Sequence, residues 1–277
     1  MAESRIPASP LSVGSVIEAL DAASVQIPIP TVLTVTDSTN DEALTLANDG
    51  APAWSVVVAD QQRSGRGRLG RAWETPPGQA LLFSTVLRPP TEWAATAWGW
   101  IPLIAGIAVR TAIAEHCLAA ALKWPNDVVV DGSAYDGSAG PRKLAGILAE
   151  RRGSAVVVGV GINVAHTQEE LPIPAATSIS IEGGSVSREV LLASTLGTWI
   201  PMWEQFIQGG GDAETTGIRA GYASMSATLG RRVRVEVAGN ELVGEATEID
   251  GDGHLVVDGV FGRQSVSAGD VTHLRPA

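Results

Sequence analysis

The pattern of apolar residues changes near Ala227, and that change divides the chain into two kinds of unit. From Gly230 onward, RRVRVEVAG, ELVGEATEID, HLVVDG and FGRQSV are short alternating segments parted by Gly-Asn and Asp-Gly turns. Side chains alternate across a strand and such dipeptides suit tight hairpins, so this spacing predicts a small all-β barrel. The preceding residues mix longer strand-like and helix-like runs. TVLTVT (Thr31–Thr36), WSVVVA (Trp54–Ala59), ALLFSTVL (Ala80–Leu87), DVVV (Asp127–Val130), KLAGILAE (Lys143–Glu150) and AVVVGVGINV (Ala155–Val164) read as strands. Thr39 and Glu42 have capping-box spacing and predict a helix to about Asn48; Val190 to Ile207 has helical periodicity, and a further short helix is expected before Leu229. The reading is an α+β protein with a lead-in over 1–30, a main domain with helices flanking a mixed sheet over 31–227, and a β domain over 228–277.

Composition narrows the function. A net charge of −11 and a pI near 4.8 argue against a surface built for DNA or RNA, because phosphate neutralisation needs a basic face. The single Cys117 cannot close an internal disulfide, and the first residues lack the apolar core of a signal peptide. Arg110, Glu115 and His116 interrupt the apolar tract from Ile101 to Leu122, which therefore predicts a buried helix and no membrane span. A cytoplasmic protein without nucleic-acid or membrane partners is expected.

Two lysines stand among nineteen basic residues, and both open distinctive words: Lys123 in KWPND and Lys143 in KLAGIL. Where arginine has filled every other cationic position, a surviving lysine marks a need for a compact ammonium, or chance. The loop RSGRGRLGR (Arg63–Arg71) sets four arginines among three glycines. Glycine lets backbone approach a ligand, and guanidinium forks grip phosphate or carboxylate, so the loop reads as a flexible anion binder. It is neither a P-loop nor a dinucleotide fingerprint. Trp73 reads equally as a base-stacking ring or as core. In KWPND, Pro125 biases Trp124 toward extended backbone, and Asp127 reads as a metal ligand, a partner for a cation or a plain turn residue. Gly146, Gly159 and Gly161 interrupt apolar strands, which weakens them unless something must come close. The four histidines lack partners at metal-ligand spacing.

In order, TDSTND (Thr36–Asp41), DQQRSGRGRLGRAW (Asp60–Trp73), KWPND (Lys123–Asp127), RKLAGILAE (Arg142–Glu150) and VVGVGINV (Val157–Val164) resemble the biotin protein ligases. The resemblance covers about Val32 to Val164, and the C-terminal β segment resembles the small SH3-like barrel of that family. It implies ATP and biotin as substrates, Mg²⁺ as cofactor, and a biotin carboxyl carrier domain as acceptor partner. The expected reaction makes biotinyl-5′-adenylate and then transfers biotin to one lysine.

Carried over by position, Lys143, Arg66 and Arg68 are the expected catalytic residues. Ser38, Thr39, Asn40, Gln62, Arg66, Gly67, Arg68, Lys143, Gly146, Ile147, Gly159 and Gly161 are expected around biotin. The nucleotide is expected against Arg66, Arg68, Arg71, Trp73, Asn126, Asp127, Lys143 and Asn163. The resemblance leaves the metal ligands unassigned and allows a monomer or a homodimer. About thirty residues precede the first matching strand, fewer than a winged helix-turn-helix needs, so operator binding is not expected. The same residues leave two other functions open: a lipoate–protein ligase or octanoyl transferase of the same catalytic fold, and a nucleic-acid module using the Gly-Arg loop.

Overall fold

The computed structural model describes residues 9–274 apart from 92, 94, 117–118, 133–139 and 238, so Cys117 and most of the loop expected over Asp131–Arg142 lie outside the described residues. Seven strands form the larger sheet: β1 (Thr31–Thr36), β2 (Val56–Gln62), β3 (Ala80–Leu87), β4 (Ala120–Lys123), β5 (Asp127–Val130), β6 (Arg142–Arg152) and β7 (Ala155–Asn163). Their spatial order is β1-β2-β3-β7-β6-β5-β4, with β1 parallel to β2 and every other pair antiparallel. The fold is thus α+β with a mixed central sheet.

Strand alternation sorts the residues of this sheet onto two faces. On β7, Val156, Val158, Val160 and Ile162 join the main core, as do residues of α3 (Trp100–Ala114) and α4 (Arg188–Gln208). The other face meets α2 (Thr39–Asn48) at one end, where Ala43, Leu44 and Ala47 pack on Val57, Val86, Ala155 and Val157. Beyond α2 that face is not filled by apolar residues. Gly159 and Gly161 on β7 lie opposite Leu148 and Gly146 on β6, and Ser84 on β3 lies opposite Gly159. This uncovered stretch becomes the floor of a cavity.

Two expectations need correction. The apolar tract is helical only to Ala114; Ala120–Lys123 is an edge strand paired with β5. Alanine-rich AALK has no strong strand preference, so its pairing with DVVV decides the outcome. The segment Ala97–Ala114 is long and apolar enough to cross a membrane, yet 67% of it is buried inside this fold. The capping box at α2 is also absent, because Ser38 is the N-cap and its side chain caps nothing. Instead Glu42 accepts from the Thr36 hydroxyl at 2.7 Å, while the Thr39 hydroxyl is drawn to Gln62. The lead-in contains α1 (Val13–Ala22), closed by a capping box of Ser12 and Ser15.

After α5 (Ile218–Ser224), β8 (Arg232–Val237), β9 (Asn240–Ile249), β10 (Leu255–Gly259), β11 (Gly262–Val266) and β12 (Asp270–His273) form an antiparallel sheet ordered β11-β10-β9-β8-β12, consistent with an SH3-like barrel. It does not hang free. Trp100 Nε1 donates to Gly251 O at 2.7 Å and Trp124 Nε1 to Gly253 O at 3.0 Å, so two core tryptophans hold the β9–β10 turn. Val233, Val235, Ala246, Leu255 and Val257 belong to the same apolar cluster as the main sheet. This docking brings the start of β12 to the rim of the cavity.

Candidate active site

A cavity of about 610 Å³ opens on the uncovered sheet face. Its wall contains every residue expected around biotin or nucleotide, from Ser38, Thr39 and Asn40 through the arginine loop to Asn126, Asp127, Lys143 and Asn163. Lys123 lines it as well. Sequence order had scattered these residues over some 120 positions; the sheet brings them together because β2, β3, β7, β6 and β5 are neighbours.

The lysine of KLAGIL stands at the centre. Lys143 is the second residue of β6, and its ammonium lies 2.6 Å from Asp127 Oδ1 and 5.4 Å from the centre of the Trp73 ring. Asp127 begins β5 opposite Gly146, and that register carries its carboxylate to the lysine. The segment 175–177 braces the backbone of Lys143: Lys143 N donates to Ala175 O at 2.7 Å, and Thr177 N to Lys143 O at 2.9 Å. Lys123 faces the same carboxylate from β4. Burial pushes its ammonium below the usual lysine range, Asp127 opposes that, and the Lys143 and Arg71 cations add to it.

Trp73 fills the gap made by two glycines. A methyl on Gly161 would lie 2.6 Å from its Cε2, and one on Gly146 3.0 Å from its Cζ3. These residues are register partners on adjacent strands, so together they make a flat window for the indole. Gly159 serves a different neighbour: its absent side chain leaves room for the Asn40 amide, whose Oδ1 would be 2.1 Å from a methyl there. The strand glycines therefore mark close approach, with protein side chains as the approaching groups. Ile147 differs from expectation. Its side chain packs into the main core toward Gly106 of α3, while its backbone brackets Asn126 through two bonds of 2.8 and 2.9 Å.

Polar groups at the α2 end form a connected chain. Gln62 Oε1 accepts from Thr39 N at 2.8 Å and from the Thr39 hydroxyl at 3.0 Å. The Ser84 hydroxyl lies 2.8 Å from Thr39 Oγ1 and 2.6 Å from Asn40 Oδ1, and Asn40 Nδ2 donates to Glu150 Oε2 at 2.6 Å. Ser38, Thr39 and Asn40 are all buried. Asn163, also buried, donates from Nδ2 to Thr177 O at 2.9 Å.

The arginine loop is held at both ends. Arg66 grips the Asp41 carboxylate with bonds of 2.5 and 2.9 Å, and that bond raises its guanidinium further above the usual range. Arg68 donates to Asn126 Oδ1 at 3.2 Å and to Gly269 O at 3.3 Å, and burial lowers its guanidinium. Arg71 pairs with Asp270. Gly67 N closes the loop on Arg71 O at 2.7 Å, and Leu69 occupies left-handed backbone with φ of 56°. Five cations thus line this cavity, three of them countered by Asp41, Asp270 and Asp127.

Asp41, Glu150 and Asp270 were not assigned a site role from sequence. Asp41 and Glu150 lie inside motif words, at a helix start and a strand end, where carboxylates are unremarkable. Asp270 is 199 positions from Arg71, and no local pattern links them.

Residues 32–165 match the model of the biotin/lipoate A/B protein ligase family, and residues 228–274 match the biotin protein ligase C terminal domain. The biotin–[acetyl-CoA-carboxylase] ligase of Mycobacterium tuberculosis is 39% identical over 251 residues, spanning 88% of each chain. The enzyme of the same name from Paracoccus denitrificans is 35% identical over 253 residues, 87% of this chain and 98% of its own. Biotin protein ligase from Aquifex aeolicus, solved in complex with biotin and ATP, superposes with a TM-score of 0.72 at 26% identity and covers 89% of this chain and 99% of its own. With this fold, this cavity and these relatives, the chain belongs to the biotin protein ligase family.

Proposed function

We propose that this cavity activates biotin with ATP and passes it to a lysine of a biotin carboxyl carrier domain. In the first step a biotin carboxylate oxygen attacks the α-phosphorus, a P–O bond forms, and the bond to the β-phosphate breaks to release pyrophosphate. In the second, the neutral amine of the acceptor lysine attacks the acyl carbon, an amide forms, and AMP leaves as the amine loses a proton.

The observation that carries this reading is the grouping of Lys143, Arg66 and Arg68 around one cavity floored by Gly146 and Gly161. Two anions must meet in the first step, and fixed cations in a partly dehydrated site lower the cost of that approach and of charge developing at phosphorus. Lys143 is assigned to the reacting carboxylate and α-phosphate. Asp127 holds that ammonium in place, and Trp73 offers it an aromatic face. Arg66 and Arg68 are assigned to the carboxylate and phosphates, exchanging Asp41 and the Asn126–Gly269 bracket for ligand. Ser38, Thr39, Asn40 and Gln62 are assigned to the polar end of biotin, and Arg71, Asn126 and Asn163 to the nucleotide side. The C-terminal domain is assigned to 228–277, with β12 at the rim of the site.

Mg²⁺ fits the donor chemistry here. The ion favours a carboxylate or two plus phosphate oxygens, and the buried Asp127 Oδ1 stands beside the site assigned to the α-phosphate. Asp127 would hold the ion, which offsets phosphate charge when bound. The acceptor and a cytoplasmic setting belong to the same reading, which the lone cysteine and the need for ATP support.

The match of residues 228–274 to a biotin-specific C-terminal model favours biotin over lipoate. The test is ATP–pyrophosphate exchange with each acid alone. Exchange with biotin is expected; exchange with lipoate only would overturn the proposal.

A further inference from the structure

Glu150 occupies a place that the proposed reaction leaves without a role. It sits near the end of β6, opposite Val157, on the sheet face shared by Gly159, Ser84 and α2. Its Oε2 accepts from Asn40 Nδ2 at 2.6 Å and lies 3.9 Å from Arg66 Nη2.

An asparagine amide has nearly the same shape when its oxygen and nitrogen are exchanged, so its polarity must be set by neighbours. An ionised carboxylate only accepts. Facing Glu150, Asn40 must present Nδ2 to it, which leaves Oδ1 toward the Ser84 hydroxyl at 2.6 Å and over the Gly159 gap. The far end of the chain is set in the same way. The backbone N–H of Thr39 fixes the Gln62 oxygen at 2.8 Å, which leaves Nε2, a donor, on the side of Gly65. The Ser84 hydroxyl then gives its one hydrogen to Asn40 Oδ1, which leaves the Thr39 hydroxyl to donate to Ser84 Oγ or to Gln62 Oε1. We infer that Glu150 is a positioning residue that fixes the donor–acceptor polarity of the Asn40–Ser84–Thr39–Gln62 chain and thereby selects a cyclic urea over an apolar or dithiolane acid end. This rests on the biotin reading of the site. A site ordered in advance selects by the polar group it would otherwise leave unpaired, so a defined polarity is worth more than the same groups free to flip.

The test compares Glu150→Leu with Glu150→Gln in biotin-dependent pyrophosphate exchange. Gln keeps an oxygen for Asn40 Nδ2 and removes the charge near Arg66; Leu removes the acceptor. For Glu150→Leu the expected result is a KM for biotin raised about tenfold, with kcat and the KM for ATP near wild type. Glu150→Gln, whose amide can turn together with that of Asn40, leaves two polarities open and should return the KM for biotin only to about twofold above wild type. An unchanged KM in Glu150→Leu overturns the inference, as does a Gln variant as impaired as Leu, which would assign the effect to charge. If Glu150→Leu does not fold, Glu150→Ala, which also removes the acceptor, decides by the same KM for biotin: a rise of about tenfold supports the inference and an unchanged value overturns it. Wild-type protein lacking any biotin-dependent exchange would instead sink the proposed function itself.

Discussion

Substituting Gly161 by alanine separates a ligand-site effect from a stability effect. The added methyl would lie 2.6 Å from Trp73 Cε2 and 2.8 Å from both Cζ2 and Nε1, where ordinary contact begins at 3.4 Å. The indole must therefore rise from the sheet by about 0.8 Å, the difference between those distances. Rising off the strands carries it into the cavity, where the Lys143 ammonium stands 5.4 Å from the ring centre. Misplacement of about 1 Å at a reacting centre costs on the order of 10² in rate. Stability should move the other way, since glycine to alanine in a strand at ordinary φ gains about 0.5–1 kcal/mol from the unfolded chain. The assay is rapid-quench measurement of adenylate formation, paired with a thermal melt. The expected signature is a rate about 10²-fold lower with Tm unchanged or raised, and partial recovery when Trp73→Phe is added. A single variant within twofold of wild type would refute the reasoning, since Trp73 would then yield freely and the two glycines would owe nothing to it.

Three further outcomes follow from the same structure. Asp60 and Arg188 form an ion pair at 2.7 Å with side chains only 8% and 5% exposed, and Arg188 also holds Ser9 O; Asp60→Ala strands a buried cation and should cost about 3–5 kcal/mol in urea unfolding. Burial and the nearby Lys123 and Arg231 cations push the His273 imidazole down to about 4. The unfolded chain then binds the extra proton below about pH 6.5, so stability is full above that pH and falls toward pH 4; His273→Gln should flatten the Tm–pH profile between those values, and an unchanged slope would contradict the assignment. Asp270→Ala breaks an exposed pair with Arg71 and should change Tm little, within about 1 kcal/mol of stability, while raising the KM for ATP; wild-type KM would remove β12 from the site.

Much of this was legible in the residues. The short, largely apolar runs ALLFSTVL and DVVV became strands with the expected bounds, because β-branched apolar runs of this length suit strands covered on both faces. The glycines of KLAGIL and VGVGIN announced close approach, although which atoms approach is a matter of tertiary register. AALK was hidden in the tail of a helical tract, since its strand state depends on pairing with β5 rather than on its own preference. At α2 the capping-box spacing was present, but Gln62 and Thr36 compete for the two side chains, and such competition has no local signature. The Arg68–Gly269 and Arg71–Asp270 contacts join the arginine loop to β12 across about 200 residues, and only the docked second sheet reveals them.

In the proposed reaction one ammonium, held by Asp127 above a glycine window, neutralises the reacting acid and nucleotide. The direct measurement is single-turnover adenylate formation by Lys143→Arg with saturating biotin and ATP. A guanidinium keeps the charge but cannot occupy the compact position between Asp127 and Trp73. A fall on the order of 10²–10³ in rate is predicted, with the fold intact by circular dichroism. A rate near that of the wild-type protein would contradict the account.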